Sequence, residues 1–367
     1  MIEVELRHAA LPLVRPFRTS RGSETHKRVL LLRWSTDAAT GWAECGSDPE
    51  PTYYPEYIDT TAATLEHVLV PMARDLAAGD GPLLPRLRAA FADVPGLPLA
   101  KAVVETAVLD HELRAADMSM ATYLGGHRDK VAVGVSVGIP EGIDELLDWV
   151  GGYIEDGYRR IKLKVRPGWD VDPMRAVRES FGDELSLQVD ANQAYRTSDI
   201  PHLLTFDDYG MLLVEQPFPA DDLLAHARLA ADLATPVCLD ESVTTVGQAA
   251  AAITLGAADC INIKPARVGG YLTARSIHDL CAAHAVPVFC GGMLETGLGR
   301  AANLALAGLP NFTLPGDISA TSRYYARDIT QSFELVDGHL VPPTGPGSGA
   351  VLDLDALEEF TTSTRQL

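Results

Sequence analysis

The sequence lacks any device for crosslinking itself. Its five cysteines, Cys45, Cys238, Cys260, Cys281 and Cys290, are an odd set with no C-x-x-C pair. That excludes a disulfide framework or a zinc finger as the organising element. Three of them lie in apolar runs, where a small buried hydrophobe is the ordinary reading. No stretch reaches the roughly 18 uncharged apolar residues that a spanning helix needs. Positive charge is scarce: 30 Lys and Arg stand against 50 Asp and Glu, for a net charge of −20. Such a surface repels nucleic acid and anionic membranes, because it has few cations with which to release condensed counterions. No basic patch with interleaved aromatics occurs. No Gly-x-Gly-x-x-Gly follows an apolar run, which removes the dinucleotide fingerprint. The segment Met1-Ile2-Glu3-Val4-Glu5 alternates like a strand and does not read as a signal peptide. The expected setting is a reducing cytoplasm, and the expected partners are a small-molecule carboxylate substrate and further copies of the chain, with neither nucleic acid nor membrane.

What is present falls into two textures. Residues 1–46 read as strands, with 28–36 rich in Val and Leu and 41–45 following a polar turn. Helical periodicity follows at 57–76, 83–93 and 99–116. Strands and then helices describe an α+β module, assigned to residues 1–125. From about residue 131, short apolar runs alternate with amphipathic helices such as 142–156 and 270–285. The runs are 131–139, 160–165, 185–190, 211–216, 236–240, 260–264, 287–291 and 311–316. Eight such units predict an α/β fold of the (β/α)8-barrel type over 126–320, with strands buried on both faces. A doubly wound open sheet is the alternative, disfavoured by eight consecutive units and the missing glycine fingerprint. Residues 321–367 lose the pattern and are expected to return and complete the N-terminal capping domain.

Three acids close successive barrel strands: Asp190, Glu215 and Asp240, each 25 residues from the next. One βα unit has about that length, so the carboxylates fall at equivalent positions on the C-terminal face, where barrel active sites lie. Three converging carboxylates repel one another unless a cation neutralises them. An all-oxygen set suits Mg²⁺, with Mn²⁺ or another divalent ion possible. Lys162 and Lys164 in Arg160-Ile161-Lys162-Leu163-Lys164 share one face of their strand, the barrel interior. Lys264 lies 24 residues after Asp240, across the barrel mouth. Burial or a neighbouring cation lowers a lysine's pKa, as a general base requires. A cation between opposed amines fits abstraction of a proton α to a carboxylate, because the dianionic enediolate needs electrostatic stabilisation.

The segments Lys162-x-Lys164, Asp190-Ala191-Asn192, Glu215-Gln216-Pro217, Asp240-Glu241-Ser242 and Asn262-Ile263-Lys264-Pro265 resemble the enolase superfamily, muconate-lactonizing-enzyme subgroup. Pro16-Phe17-Arg18-Thr19-Ser20, the run from Gly291-Gly292-Met293-Leu294-Glu295 to Arg300, and Asn311-Phe312-Thr313-Leu314-Pro315-Gly316-Asp317 are similar to its branch of N-succinylamino acid racemases and o-succinylbenzoate synthases. The resemblance implies that Asp190, Glu215 and Asp240 ligate Mg²⁺ and that Lys164 and Lys264 form the acid–base pair. It also implies that Lys162 tunes Lys164 or meets the substrate carboxylate, and that Arg267 matches an arginine associated with racemase activity. Loops around Arg18–Gly22, including Ser20, and around Tyr53–Tyr57, including Tyr54, are expected to cover the mouth. Arg21 stands where the family has an aromatic residue, and Ala266 where it has glycine.

Asn192 and Glu241 are expected to face the site or orient its ligands. Gly292 and Met293 are expected to let backbone approach the substrate. Ser319 and Thr321 are placed near its distal group, and Gly269-Gly270 is read as a turn. No histidine ends a barrel strand. The alternatives are a dipeptide epimerase or a cycloisomerase of the same subgroup and, at a greater distance, a Schiff-base aldolase or a non-enzymatic metal-stabilised binding barrel. Asp317-Ile318-Ser319, where an epimerase of this type has Asp-x-Asp, argues against the first.

Overall fold

The computed structural model describes residues 2–18 and 23–367. The chain begins with a four-stranded antiparallel sheet. Its order is Thr361–Gln366, Glu3–Arg18, Ser23–Ser35, Thr40–Cys45, so the last strand of the chain pairs with the first. The helix Pro98–Ala115 packs on this sheet. A Cβ at Gly41 would stand 2.2 Å from the carbonyl of Ala107, so only glycine allows strand and helix backbones to approach this closely. Asp110, buried in that helix, accepts from the Trp42 backbone N–H at 2.9 Å, the Arg114 Nε–H at 2.8 Å and the Ser348 N–H at 2.6 Å. One carboxylate thereby ties sheet, helix and C-terminal segment together.

The helix expected over 57–76 is divided. Ile58–Thr64 is α, Leu65–Leu69 is a π turn and Val70–Ala77 is α again. Pro71 opens the last piece; lacking an N–H, it cannot continue the ordinary ladder.

The second unit is a curled parallel sheet of seven strands in sequence order: Val135–Val137, Arg160–Lys164, Ser186–Asp190, Val214–Glu215, Val237–Leu239, Cys260–Ile263 and Val288–Cys290. Every residue of these strands is buried except Ser186 and Lys164, which are partly so, as parallel strands covered on both faces must be. The eighth run, 311–316, forms no strand. It closes the ring through single bridges, Val288 to Phe312 on one side and Val133 to Gly316 on the other. Pro310 precedes this run and Pro315 lies within it, and a residue without an N–H cannot extend a ladder. His339–Leu340 pairs with Val131–Ala132 at the barrel floor. All five cysteines are buried and unpaired. No helix among the described residues is long and apolar enough to cross a membrane.

Candidate active site

Register, more than sequence spacing, brings the site together. Lys164 is the Cα partner of Asp190, Asp190 of Glu215, and Glu215 of Cys238, two residues before Asp240. Residues two apart on a strand share a face, so Lys164, Asp190, Glu215 and Asp240 all project into the barrel near its C-terminal end. Lys162 lies one layer deeper, opposite Gln188, and Arg160 one deeper still, opposite Ser186.

Each acid is engaged by a cation of the chain. Lys164 Nζ donates to Asp190 Oδ2 at 2.6 Å and to Asn192 Oδ1 at 2.8 Å. Lys162 Nζ donates to Glu215 Oε2 at 3.0 Å and, closely, to Asp317 Oδ2. Lys264 Nζ donates to Asp240 Oδ2 at 2.8 Å and to the Tyr53 hydroxyl at 2.9 Å, which itself donates to Asp240 Oδ2 at 2.9 Å. Arg267, fully buried, pairs with the other Asp240 oxygen and is fixed by the carbonyls of Val243 and Asn262. Asp317 also pairs with Arg160 at 2.8 Å. Asn192 links the two sides, donating to Glu241 Oε1 at 3.2 Å. Its φ of 43° is left-handed, a conformation that asparagine tolerates better than most residues.

Above these groups lies a cavity of about 320 Å³. Lys162, Lys164, Lys264, Asn192, Ser136 and Asp317 form its floor; Gly292, Met293, Leu294 and Tyr324 wall it; Glu24, Lys27, Asp48 and Tyr53 of the cap roof it. The amines of Lys164 and Lys264 thus open on one space from the second and sixth strands, with the strands of the acids between them. Asp190, Glu215 and Asp240 lie beneath, at most 1% exposed.

The lysine electrostatics reverse an expectation. Burial pulls the Lys162 ammonium down, but Asp317, Glu215 and Asp190 hold it above the ordinary lysine value. Lys264 is opposed by burial in the same way and raised overall by Tyr54 and by Glu241, Glu215 and Asp190. The surrounding carboxylates outweigh both desolvation and the neighbouring cations. Asp190 is raised by burial but brought below the usual carboxylate range by Lys164 and Lys162. Glu241 is pushed up by burial and by Asp190.

As placed, no three His, Cys, Asp or Glu side chains among the described residues stand close enough together to hold an ion; lysines and Arg267 engage Asp190 Oδ2, Glu215 Oε2 and both oxygens of Asp240. The donor chemistry nonetheless fits a hard cation: three carboxylates on adjacent strand ends, with Glu241 Oε2 buried without a hydrogen-bond partner beside them, offer only oxygen. Arg160, Lys162, Lys164, Lys264 and Arg267 formally balance Asp190, Glu215, Asp240, Glu241 and Asp317. A divalent ion entering this set calls for compensating negative charge from whatever binds above it.

Other expected residues fall as follows. Gly292 and Met293 line the cavity. Ser20 and Arg21 lie outside the described residues. Tyr53 rather than Tyr54 donates toward the Lys264–Asp240 pair, and the Tyr54 ring lies against it, tilted by 58° with centroids 4.3 Å apart. Ser319 and Thr321 spend their hydroxyls on the backbone, Ser319 donating to the Gly134 carbonyl and Thr321 accepting from the Phe333 N–H. Sequence reasoning missed Arg160 and the pairing role of Asp317. The two-residue spacing that placed Lys162 and Lys164 inward also places Arg160 there.

Comparison with known proteins bears on the whole chain. A family profile described as enolase C-terminal domain-like matches residues 145–356. An N-succinylamino acid racemase from Amycolatopsis sp is 54% identical over 98% of this chain and 97% of its own length. An o-succinylbenzoate synthase from Geobacillus kaustophilus is 42% identical over 98% of this chain and 95% of its own. The crystal structure of an enolase superfamily member from Listeria innocua superposes with a TM-score of 0.94 at 38% identity, covering 100% of this chain and 98% of the other. With its capped barrel, its inward lysines and relatives matched from end to end, the chain belongs to the enolase superfamily and is one of its enzymes.

Proposed function

We propose that the enzyme removes the proton α to a carboxylate through an enediolate, acting as an N-succinylamino acid racemase, an o-succinylbenzoate synthase, or both. The observation that carries this is the convergence of Lys164 and Lys264 on one cavity above Asp190, Glu215 and Asp240. The names of the two relatives supply the substrate class.

Asp190, Glu215 and Asp240 would hold a divalent cation, Mg²⁺ or Mn²⁺, whose contribution is electrostatic stabilisation of the enediolate. The balanced charge of the buried set supports this, because a dianion offsets a divalent ion. In racemisation, the neutral amine of one lysine takes the α-proton while the ammonium of the other returns a proton to the opposite face. In dehydration, Lys164 takes the α-proton and then gives it to the departing hydroxide, while the Lys264 ammonium faces the developing charge. Asn192 orients Lys164; Arg267 and Tyr53 orient Asp240 and Lys264. Lys162 meets the substrate carboxylate from below or tunes Lys164. Gly292 and Met293 wall the substrate, and Glu241 steadies Asn192.

The test is proton NMR in D₂O with N-succinylamino acids, together with a dehydration assay forming o-succinylbenzoate. We expect loss of the α-proton signal, abolition by chelation and restoration by Mg²⁺. Absence of both reactions with metal present refutes the reading.

A further inference from the structure

The segment after the seventh barrel strand walls the cavity, yet it is held from the cap. Glu44, at the end of the cap strand Thr40–Cys45, accepts from the Thr296 backbone N–H at 2.9 Å, the Thr296 hydroxyl at 2.5 Å and the Gly299 N–H at 2.9 Å. These groups open the helix Gly297–Ala307, whose first N–H groups have no partners within the helix.

The segment needs such a hold. Leu294 sits at φ 60°, a left-handed conformation that persists only when the surroundings over-determine it. The Tyr325 hydroxyl pins its carbonyl at 2.5 Å, and Glu295 Oε2 receives the Met293 N–H at 2.8 Å. At the other end Gly291 lies directly against the catalytic amine's side chain: a Cβ there would stand 2.7 Å from Lys264 Cγ and 2.8 Å from Cε. Lys264 thus has Gly291 against its stem in addition to Asp240 and Tyr53 at its amine, whereas Lys164, across the cavity, is held by Asp190 and Asn192.

We propose that Glu44 is a positioning residue for the reaction: from the cap it fixes the segment 291–299, and through Gly291 it seats Lys264 but not Lys164. This rests on the two-lysine reading above. Burial pushes the Glu44 carboxyl up to about 7, and its hydrogen bonds from Thr296 and Gly299 pull against that rise.

The experiment compares wild type, Glu44→Gln and Glu44→Ala, each with Mg²⁺. It measures the initial rate of α-deuterium incorporation from each enantiomer of one N-succinylamino acid, and the backbone amide exchange of residues 293–299 and 186–192. In Glu44→Ala we expect exchange at the face served by Lys264 to fall roughly ten-fold or more, as for other displaced catalytic groups. Exchange at the Lys164 face stays within about two-fold, and Glu44→Gln, which keeps one acceptor oxygen, lies between. Amides 293–299 exchange faster while 186–192 are unchanged. Equal losses at both faces, as general destabilisation would give, overturn the proposal, and so do unchanged amides at 293–299. If wild type exchanges no α-proton at all, the functional reading fails instead, and the amide arm alone decides whether Glu44 holds the segment.

Discussion

At the scale of single residues, the barrel interior behaves as one charge-compensated cluster. Asp317 shows this best. It lies in the cavity floor, 6% exposed, between Lys162 and Arg160, and these cations hold its carboxyl well below the usual range despite burial. Removing one member of a buried pair strands the others, at a cost of about 3–5 kcal/mol. Asp317→Asn should therefore lower the urea unfolding free energy by roughly 3 kcal/mol; a loss below about 1 kcal/mol would show that Arg160 and Lys162 find compensation elsewhere. The direction of Lys162 and Lys164 was legible in the sequence, because strand parity is a local rule. The sense of the Lys162 and Lys264 pKa shifts was not. The acids were assigned to a cation, and the hydrogen bonds that tie them to the lysines depend on register across strands.

At the scale of elements, two barrel helices, Tyr271–Ala283 and Gly297–Ala307, begin at carboxyl groups supplied by the cap. Gly269-Gly270, read from sequence as a turn, holds a carboxylate that comes from elsewhere in the chain. Glu105 of Pro98–Ala115 accepts from the Leu272 N–H at 3.1 Å, and a Cβ at Gly270 would lie 2.0 Å from its Oε1. Burial raises the Glu105 carboxyl to about 7, against an ordinary 4.5. The folded chain thus keeps this proton up to about pH 7, whereas the unfolded chain releases it near 4.5. Its contribution is complete below 4.5 and declines as pH rises to 7, by up to about 1.4 kcal/mol per pH unit. Glu105→Gln should lose less stability than wild type between pH 5 and pH 7.5 in urea titrations; parallel curves would contradict this. Periodicity located the helices at 83–93, 99–116, 142–156 and 270–285 and seven of the barrel strands, since those signals are local, but not short helices such as Leu354–Phe360. It overstated the eighth strand, where two prolines limit pairing, and ran one helix through the π turn that Pro71 causes. The pairing of helix starts with Glu44 and Glu105 joins residues far apart in sequence, and no local pattern reports it.

At the scale of the molecule, cap and barrel make one site. The cap contributes the cavity roof, Tyr53 on Lys264, and Glu44 on the segment that walls the substrate. The C-terminal strand Thr361–Gln366 completes the cap sheet, with Gln366 donating to Glu5 at 2.8 Å. The alternation of strand and helix made the barrel legible, and the acids at strand ends made its active face legible. The roof was legible only in part: the loop at 53–57 is expected over the mouth and contributes Tyr53, whereas Glu24 and Lys27 come from the strand Ser23–Ser35, which no local pattern aims at the barrel. The central claim is that two amines work on opposite faces of one bound carbon acid. The most direct measurement is racemisation of a single N-succinylamino acid enantiomer, with Mg²⁺, by wild type, Lys164→Ala and Lys264→Ala. The account predicts that each substitution lowers racemisation by roughly 10³-fold or more, in the range expected for a general acid–base group, and that any remaining deuterium exchange in the two variants is confined to opposite enantiomers. Appreciable racemisation by either variant, or residual exchange of the same enantiomer in both, would contradict it.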